Sequence, residues 1–319
     1  MQSPRDMGHD TIEHRDVKFD FDLSQLKKHW FNNDPWMTHL FNGLFCAVPD
    51  GERWVMQSAR KQMGKLKDEK SIETVKRFIK QEASHSREHD LVNAIMLNFG
   101  VPADKAEKFF KQVRQKVQAV SSDDMQASIA AAIEHFTAVL SEVLLESPDL
   151  FDDMDPKIRS LVYWHMVEET EHKAVSHELF EQTVGKGPKQ YLMRVTGLVG
   201  TFGFGFYAVF FNMFYLLYAD KQLGNVASAV RMLKIIGYQP GFVRKILMAC
   251  VPYLKPGFHP WERDNRALIA VWKETYQRTG DVLQATEEFR ATQGKPMALH
   301  KRSAGKRQVK SSNPGAQAA

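Results

Sequence analysis

The chain has 319 residues, 43% hydrophobic and 25% charged, which is ordinary for a soluble globular protein and long enough to bury a core without disulfide or metal support. Its two cysteines, Cys46 and Cys250, are far apart, and the start MQSPRDMGHDTIEHRD is polar and acidic with no signal-peptide pattern; a disulfide framework is excluded and a cytoplasmic location is expected. The net charge of +5 comes from Lys301, Arg302, Lys306, Arg307 and Lys310, so residues 1–300 are neutral overall, and a broad basic face for specific nucleic-acid binding is excluded.

Strand signals are nearly absent, with no sustained period-2 run and no Asn-Gly hairpin turn. Helical signals are abundant, and the class expected is all-α. Residues 1–33 read as an irregular arm. Asp34-Pro35 starts a helix that runs to about Cys46. Pro49-Asp50-Gly51 interrupts it, and a second piece runs from Glu52 to about Met63. A long helix follows over about 72–97, ended by Gly100 and Pro102, then an amphipathic one over 103–117. Ser121-Ser122-Asp123 caps a helix over 125–146, and Asp155-Pro156 opens one that runs to about Val184, closed by Gly185.

From Val195 to Ala219 no residue is charged. As one helix the segment is about 36 Å long, enough to cross a bilayer, but Gly197, Gly200, Gly203 and Gly205 weaken half of it. Amphipathic pieces follow near 224–236 and 240–252, then a Pro/Gly/aromatic knot at Tyr253–Trp261, a last helix near 262–278 and a basic tail over 300–319 expected to be disordered. The domains expected are therefore the arm (1–33), a helical bundle (34–185), C-terminal helices (186–299) and the tail (300–319).

Chemistry concentrates in the bundle. Two histidines are preceded by a glutamate three residues earlier, in Glu82-x-x-His85 and Glu169-x-x-His172. In a helix this spacing puts both side chains on one face, within reach of one point. Each pair follows a helix with a candidate glutamate, Glu52 before the first and Glu134 before the second. One Glu from each of two helices and one Glu-x-x-His from each of two others is the ligand pattern of ferritin-like di-iron carboxylate bundles. The fold expected is thus a ferritin-like four-helix bundle with a dinuclear metal site and additional C-terminal helices. Carboxylate and imidazole donors suit two iron ions, with manganese or zinc as alternatives, and four carboxylates balance the charge of two divalent ions.

His165 precedes Glu169 by four residues and is a further candidate ligand. His89 and His135 are placed behind the ligands. Glu142 and Glu146 rival Glu134, and Glu168 and Glu171 flank Glu169, but the spacing favours Glu169 as partner of His172. His259 reads as structural.

The strings PDGERW (49–54), FIKQEASHSREH (78–89), IEHFTAVL (133–140), WHMVEETEHKAV (164–175) and KPGFHPW (255–261) resemble a bacterial family described as predicted metal-dependent hydrolases, over roughly residues 15–275. The resemblance implies a ferritin-like helical fold and a transition-metal site at these positions. No His-Glu-x-x-His zinc motif and no Gly-x-Ser-x-Gly elbow accompanies it. The ligand spacing itself favours a di-iron oxidase or oxygenase using O2, with a dinuclear hydrolase and an iron-handling or membrane-associated protein as alternatives.

The apolar segment carries basic residues on both flanks, which argues against a single span. A helix or glycine-broken hairpin that is buried, dips into one leaflet, or packs in a homo-oligomer is expected. A large apolar surface beside a metal site points to a hydrophobic small-molecule substrate and peripheral membrane contact.

Overall fold

The computed structural model describes residues 12–22, 24–238 and 241–293. Among them there is no strand, only an isolated bridge between Phe31 and Met154, so the all-α class holds. The basic tail, and the first eleven residues of the arm, lie outside the described residues.

Capping chemistry sets most helix starts. Asp34 accepts from the Met37 amide at 3.1 Å and begins α1 (Pro35–Phe45). The chain breaks at Cys46–Ala47, and α2 (Val48–Met63) already contains Pro49-Asp50-Gly51 in its first turns. The expected interruption at that tripeptide is thus displaced, because proline is tolerated at the start of a helix, where its missing N–H has no partner to lose. Asp68 caps α3 (Glu69–Asn98) through the Ser71 amide at 2.8 Å. α4 spans Ala103–Val120, and Ser122 caps α5 (Asp123–Leu145).

Asp155 caps α6 (Pro156–His172), which is followed by α7 (Val175–Val184). The single helix expected to Val184 is broken at Lys173–Ala174, with no Gly or Pro to mark it. The reason is tertiary: the Lys173 ammonium is pulled inward, donating to the Arg263 carbonyl at 2.6 Å and Asn265 Oδ1 at 2.8 Å. α6 is buried on nearly all sides, the mark of a central helix. α3 and α5 pack against it, and α2, α3, α5 and α7 enclose a neighbouring cluster in which Val55, Val75 and Phe78 are fully buried.

α8 runs unbroken from Pro188 to Ala219, so its glycines do not fold it into a hairpin. Two close approaches weld it to the bundle. A Cβ on Gly197 would sit 2.5 Å from Ser128 Oγ of α5, and one on Gly43 of α1 would sit 2.7 Å from the Val209 carbonyl of α8. α9 (Val226–Leu233) continues into a π-turn at Lys234–Tyr238 and is followed by α10 (Phe242–Cys250). α11 (Arg266–Thr279) and α12 (Val282–Gln293) form a hairpin that lies on α6, with Phe289 against Tyr163 at 5.5 Å between ring centroids. The pattern over 282–293 gave no helix in the sequence.

The segment before α1 is irregular but packed. Ile12, Val17, Phe21, Trp30 and Phe31 are buried, and Trp30 stacks on Phe45 at 5.7 Å.

Candidate metal centre

Four helices deliver seven side chains to one buried spot: Glu52 from α2, Glu82 and His85 from α3, Glu134 from α5, and His165, Glu169 and His172 from α6. Their donor atoms form three overlapping groups, each within 4.8 Å: Glu52, His85, His165 and Glu169; Glu82, Glu169 and His172; and Glu52, Glu82 and Glu134. Every ligand candidate from the sequence is therefore brought together, His165 included. Glu52 sits in the second turn of α2, and Asp50 takes the first-turn acidic position. His172 is the last residue of α6 rather than a mid-helix residue.

Glu169 Oε1 is the hub. It lies 3.0 Å from His165 Nε2, 3.4 Å from His172 Nε2 and 3.7 Å from His85 Nδ1. Thr137 of α5 donates to the other oxygen, Oε2, at 2.5 Å. His172 Nε2 also faces Glu82 at 3.1 Å and Glu134 at 3.3 Å.

The imidazoles are oriented from behind. His85 Nε2 donates to Glu168 Oε2 at 3.1 Å, and His172 Nδ1 donates to Gln81 Oε1 at 3.0 Å. The Gln81 amide is fixed the right way round because its nitrogen donates to Glu171 and to the Glu13 carbonyl. His89 Nε2 lies 2.8 Å from His165 Nδ1. Each imidazole thus points its remaining nitrogen at the carboxylates, the arrangement that metal-binding histidines share.

Behind this layer Arg15, fully buried, donates to Glu168 at 3.1 Å and to both oxygens of Glu171 at 2.9 and 2.8 Å. Lys273 of α11 reaches Glu171 at 2.6 Å. Arg15, Gln81 and the supporting roles of Glu168 and Glu171 were not legible in the sequence, since their partners lie far along the chain. Glu142 and Glu146 face Arg263 instead, at 2.6 and 3.3 Å.

His135 is corrected: it does not stand behind the ligands. One position after Glu134 it turns about 100° away, stacks on Tyr253 at 4.5 Å and lines a separate cavity of about 320 Å³ with Glu142, Lys173 and Arg263. His259 is held by Glu178 at 2.8 Å, a structural contact.

Whether these residues fit metal ions is tested by their unmet bonding. Both oxygens of Glu82, both of Glu134, His85 Nδ1 and His172 Nε2 are buried and, although some lie within ion-pair distance of one another, none has a hydrogen-bond partner of normal geometry. Buried polar atoms without partners cost about 1–3 kcal/mol each, yet here six of them converge on one point. Oxygen and imidazole donors, four of them carboxylates, are what two divalent transition ions take. The donor set fits.

Electrostatics agree. Burial, and then the charges of Glu52 and Glu134, push the Glu82 carboxyl well above the usual carboxylate range; burial, and then Glu169 and Glu52, do the same to Glu134. Glu169 is held well below that range: burial opposes ionisation, but His172 and His165 outweigh it. Burial would lower His165, yet its hydrogen bonds to Glu169 and Glu52 raise it to about 10. Burial, relieved by Arg15, leaves Glu168 at about 7.

A pH dependence follows for the metal-free protein. A group whose folded pKa is raised binds more protons folded than unfolded, so stability falls as pH rises above the unfolded value. Glu82, Glu134, Glu168 and His165 all have this sign. His39, His85, His89, His135 and His177, lowered by burial, oppose the trend only through the end of the unfolded imidazole titration just above 6.5, and Lys173, lowered by burial to about 8, opposes it only near and beyond that value. Between pH 6.5 and 8 the metal-free protein is expected to lose thermal stability steadily, and a bound cation, replacing those protons, to flatten the slope. Calorimetry at several pH values checks this; a metal-free Tm that rises across the window contradicts it.

No curated protein and no solved structure matches the chain. A family model described as "Predicted metal-dependent hydrolase" matches residues 13–264, more than half the chain, including Arg15 and every candidate ligand. The match corrects the oxidase or oxygenase expected from ligand spacing, and with it the expected use of O2: this spacing is shared by centres that activate oxygen and centres that activate water, and the family description is of hydrolysis. The chain belongs to the family of predicted metal-dependent hydrolases.

Proposed function

We propose that the protein is a hydrolase that works with two divalent cations on a hydrophobic small molecule. The observation that carries this is the convergence of six buried, unbonded donor atoms within a family described as metal-dependent hydrolases. Glu52, His85, His165 and Glu169 would hold one ion, and Glu82, Glu134 and His172 the other, with Glu169 shared. When bound, the cations would activate a water molecule and polarise the oxygen of the bond to be cleaved. The donor set accepts iron, manganese or zinc.

The chain's own residues supply the rest. Thr137 ties down one oxygen of Glu169 and leaves the other facing the three imidazoles. Glu168 and Gln81 fix the tautomers of His85 and His172. Phe78 and Trp164 pack edge-on against these two rings, both at 4.9 Å, which keeps bulk water from the ligands. An apolar cavity of about 120 Å³ adjoins α5, with Phe136 and Leu140, the neighbours of Thr137 on that helix, in its wall together with Leu44, Phe206 and Ile246. Its lining selects an alkyl or aryl portion of the substrate.

The test is metal analysis of the purified protein followed by hydrolysis of carboxylic ester, amide and phosphoester series of increasing alkyl length under argon. Cleavage is expected without oxygen, to be lost on prolonged chelation, restored by one of the three metals, and faster for longer chains. A fully loaded protein that cleaves no member of any series while consuming oxygen would overturn the proposal.

A further inference from the structure

The outer face of α8 is largely uncovered among the described residues, touched only at its side by Phe109 on Phe211 and Trp36 on Phe214. Leu192, Val199, Tyr207, Phe211, Phe214 and Tyr218 recur at helical spacing and are exposed, Val199 by 63% and Tyr218 by 72%. The stripe is about 39 Å long at 1.5 Å per residue. Further exposed apolar residues, Val226, Leu233, Tyr238, Met248 and Val251, follow along α9, the π-turn, α10 and the turn after it. Exposed apolar surface on this scale marks an interaction site.

Charge identifies what covers it. Between Lys186 and Trp261 the sequence has nine basic residues and one acid, Asp220. That acid is neutralised internally: Lys28, His29 and His39 all bind its carboxylate. Lys221, Lys234, Arg244 and Lys245 are exposed and form no ion pair with another described residue. A second copy presenting the same face would set basic groups against basic groups. Anionic headgroups over acyl chains complement both features at once.

The attachment of α8 fixes the geometry. Of the two helices among the described residues that are long and apolar enough to cross a membrane, α5 is core and α8 is mostly exposed. But α8 is pinned near its start by Gly197 on Ser128, in its second half by Gly43 on Val209, and at its end by the Asp220 cluster. It cannot thread a bilayer without carrying α1 and α5 with it. We propose that α8, α9 and α10 form an in-plane docking face for anionic lipid membranes, with the α8 stripe seated in the interface and the bundle outside it. The apolar cavity is walled by α8, the π-turn and α10 together with α1 and α5, so it shares side chains with the docking segments.

The test is co-sedimentation of the full chain with phosphatidylcholine vesicles, with and without phosphatidylglycerol. Binding is expected to the anionic vesicles, weakly to the neutral ones, and to be reversed by salt. Val199→Glu with Tyr218→Glu, and separately Lys234→Glu with Lys245→Glu, are each expected to lower partition by about tenfold or more, with helicity unchanged because all four side chains are exposed. No partition into either vesicle overturns the proposal. So do binding that ignores Val199→Glu with Tyr218→Glu, a concentration-dependent dimer that these substitutions dissolve, and resistance to alkaline extraction, which would mean a true span.

Discussion

Glu169→Ala is expected to strip the centre of both cations and to lower hydrolysis by more than about 100-fold, the upper range for losing only a supporting residue at a metal site. The reason is position: one oxygen of Glu169 lies within 3.7 Å of three imidazole nitrogens, and the residue belongs to two of the three donor groups. In the proposed pairing His172 and Glu82 would serve one ion only, so His172→Ala and Glu82→Ala are expected to cost that ion first. In all three variants helicity persists, since the helices are capped and packed elsewhere. Elemental analysis with circular dichroism checks this; full metal occupancy in Glu169→Ala would sink the ligand assignment.

Arg15→Ala carries the largest expected stability loss. Removing one partner of a buried ion pair leaves an uncompensated charge and costs about 3–5 kcal/mol. Arg15 is buried and serves two buried carboxylates. Glu171 keeps Lys273, but Glu168 pairs with no other Lys or Arg among the described residues and also orients His85. The variant is therefore expected to unfold at much lower denaturant and to bind metal less tightly. Arg15→Lys restores the charge but not the fork that spans both acids, and only part of the stability. A loss under about 1 kcal/mol, the range of an exposed pair, would show that Arg15 is not structural.

The inner ring was legible because its code is local. A Glu and a His three apart on a helix share a face whatever the rest of the fold does, and Glu134 was marked by small apolar neighbours. The supporting ring was not, because Arg15 meets Glu171 across 156 residues and Gln81 meets His172 across 91, separations at which no spacing rule operates. His135 was misplaced because adjacent helix positions diverge by about 100°, so a histidine next to a ligand is poorly placed to support it. The break after His172 needed Asn265 and Arg263, far downstream, to capture Lys173. The choice of chemistry was out of reach for another reason: the same carboxylates and imidazoles serve oxygen and water alike.

Glu82, His85 and His172 have no exposed surface, and Glu134 and Glu169 have almost none. An ion held by Glu82, Glu134 and His172 would have no ligand facing solvent through which a competitor could attack, whereas one beside His165 would meet a side chain that is 12% exposed. Exchange of the enclosed ion then waits on opening of the surrounding helices, a step governed by local unfolding rather than by affinity. Chelators would deplete the protein over hours rather than seconds, and the metal found in a purified sample would record the supply at the time the chain folded, not the composition of the buffer it was stored in.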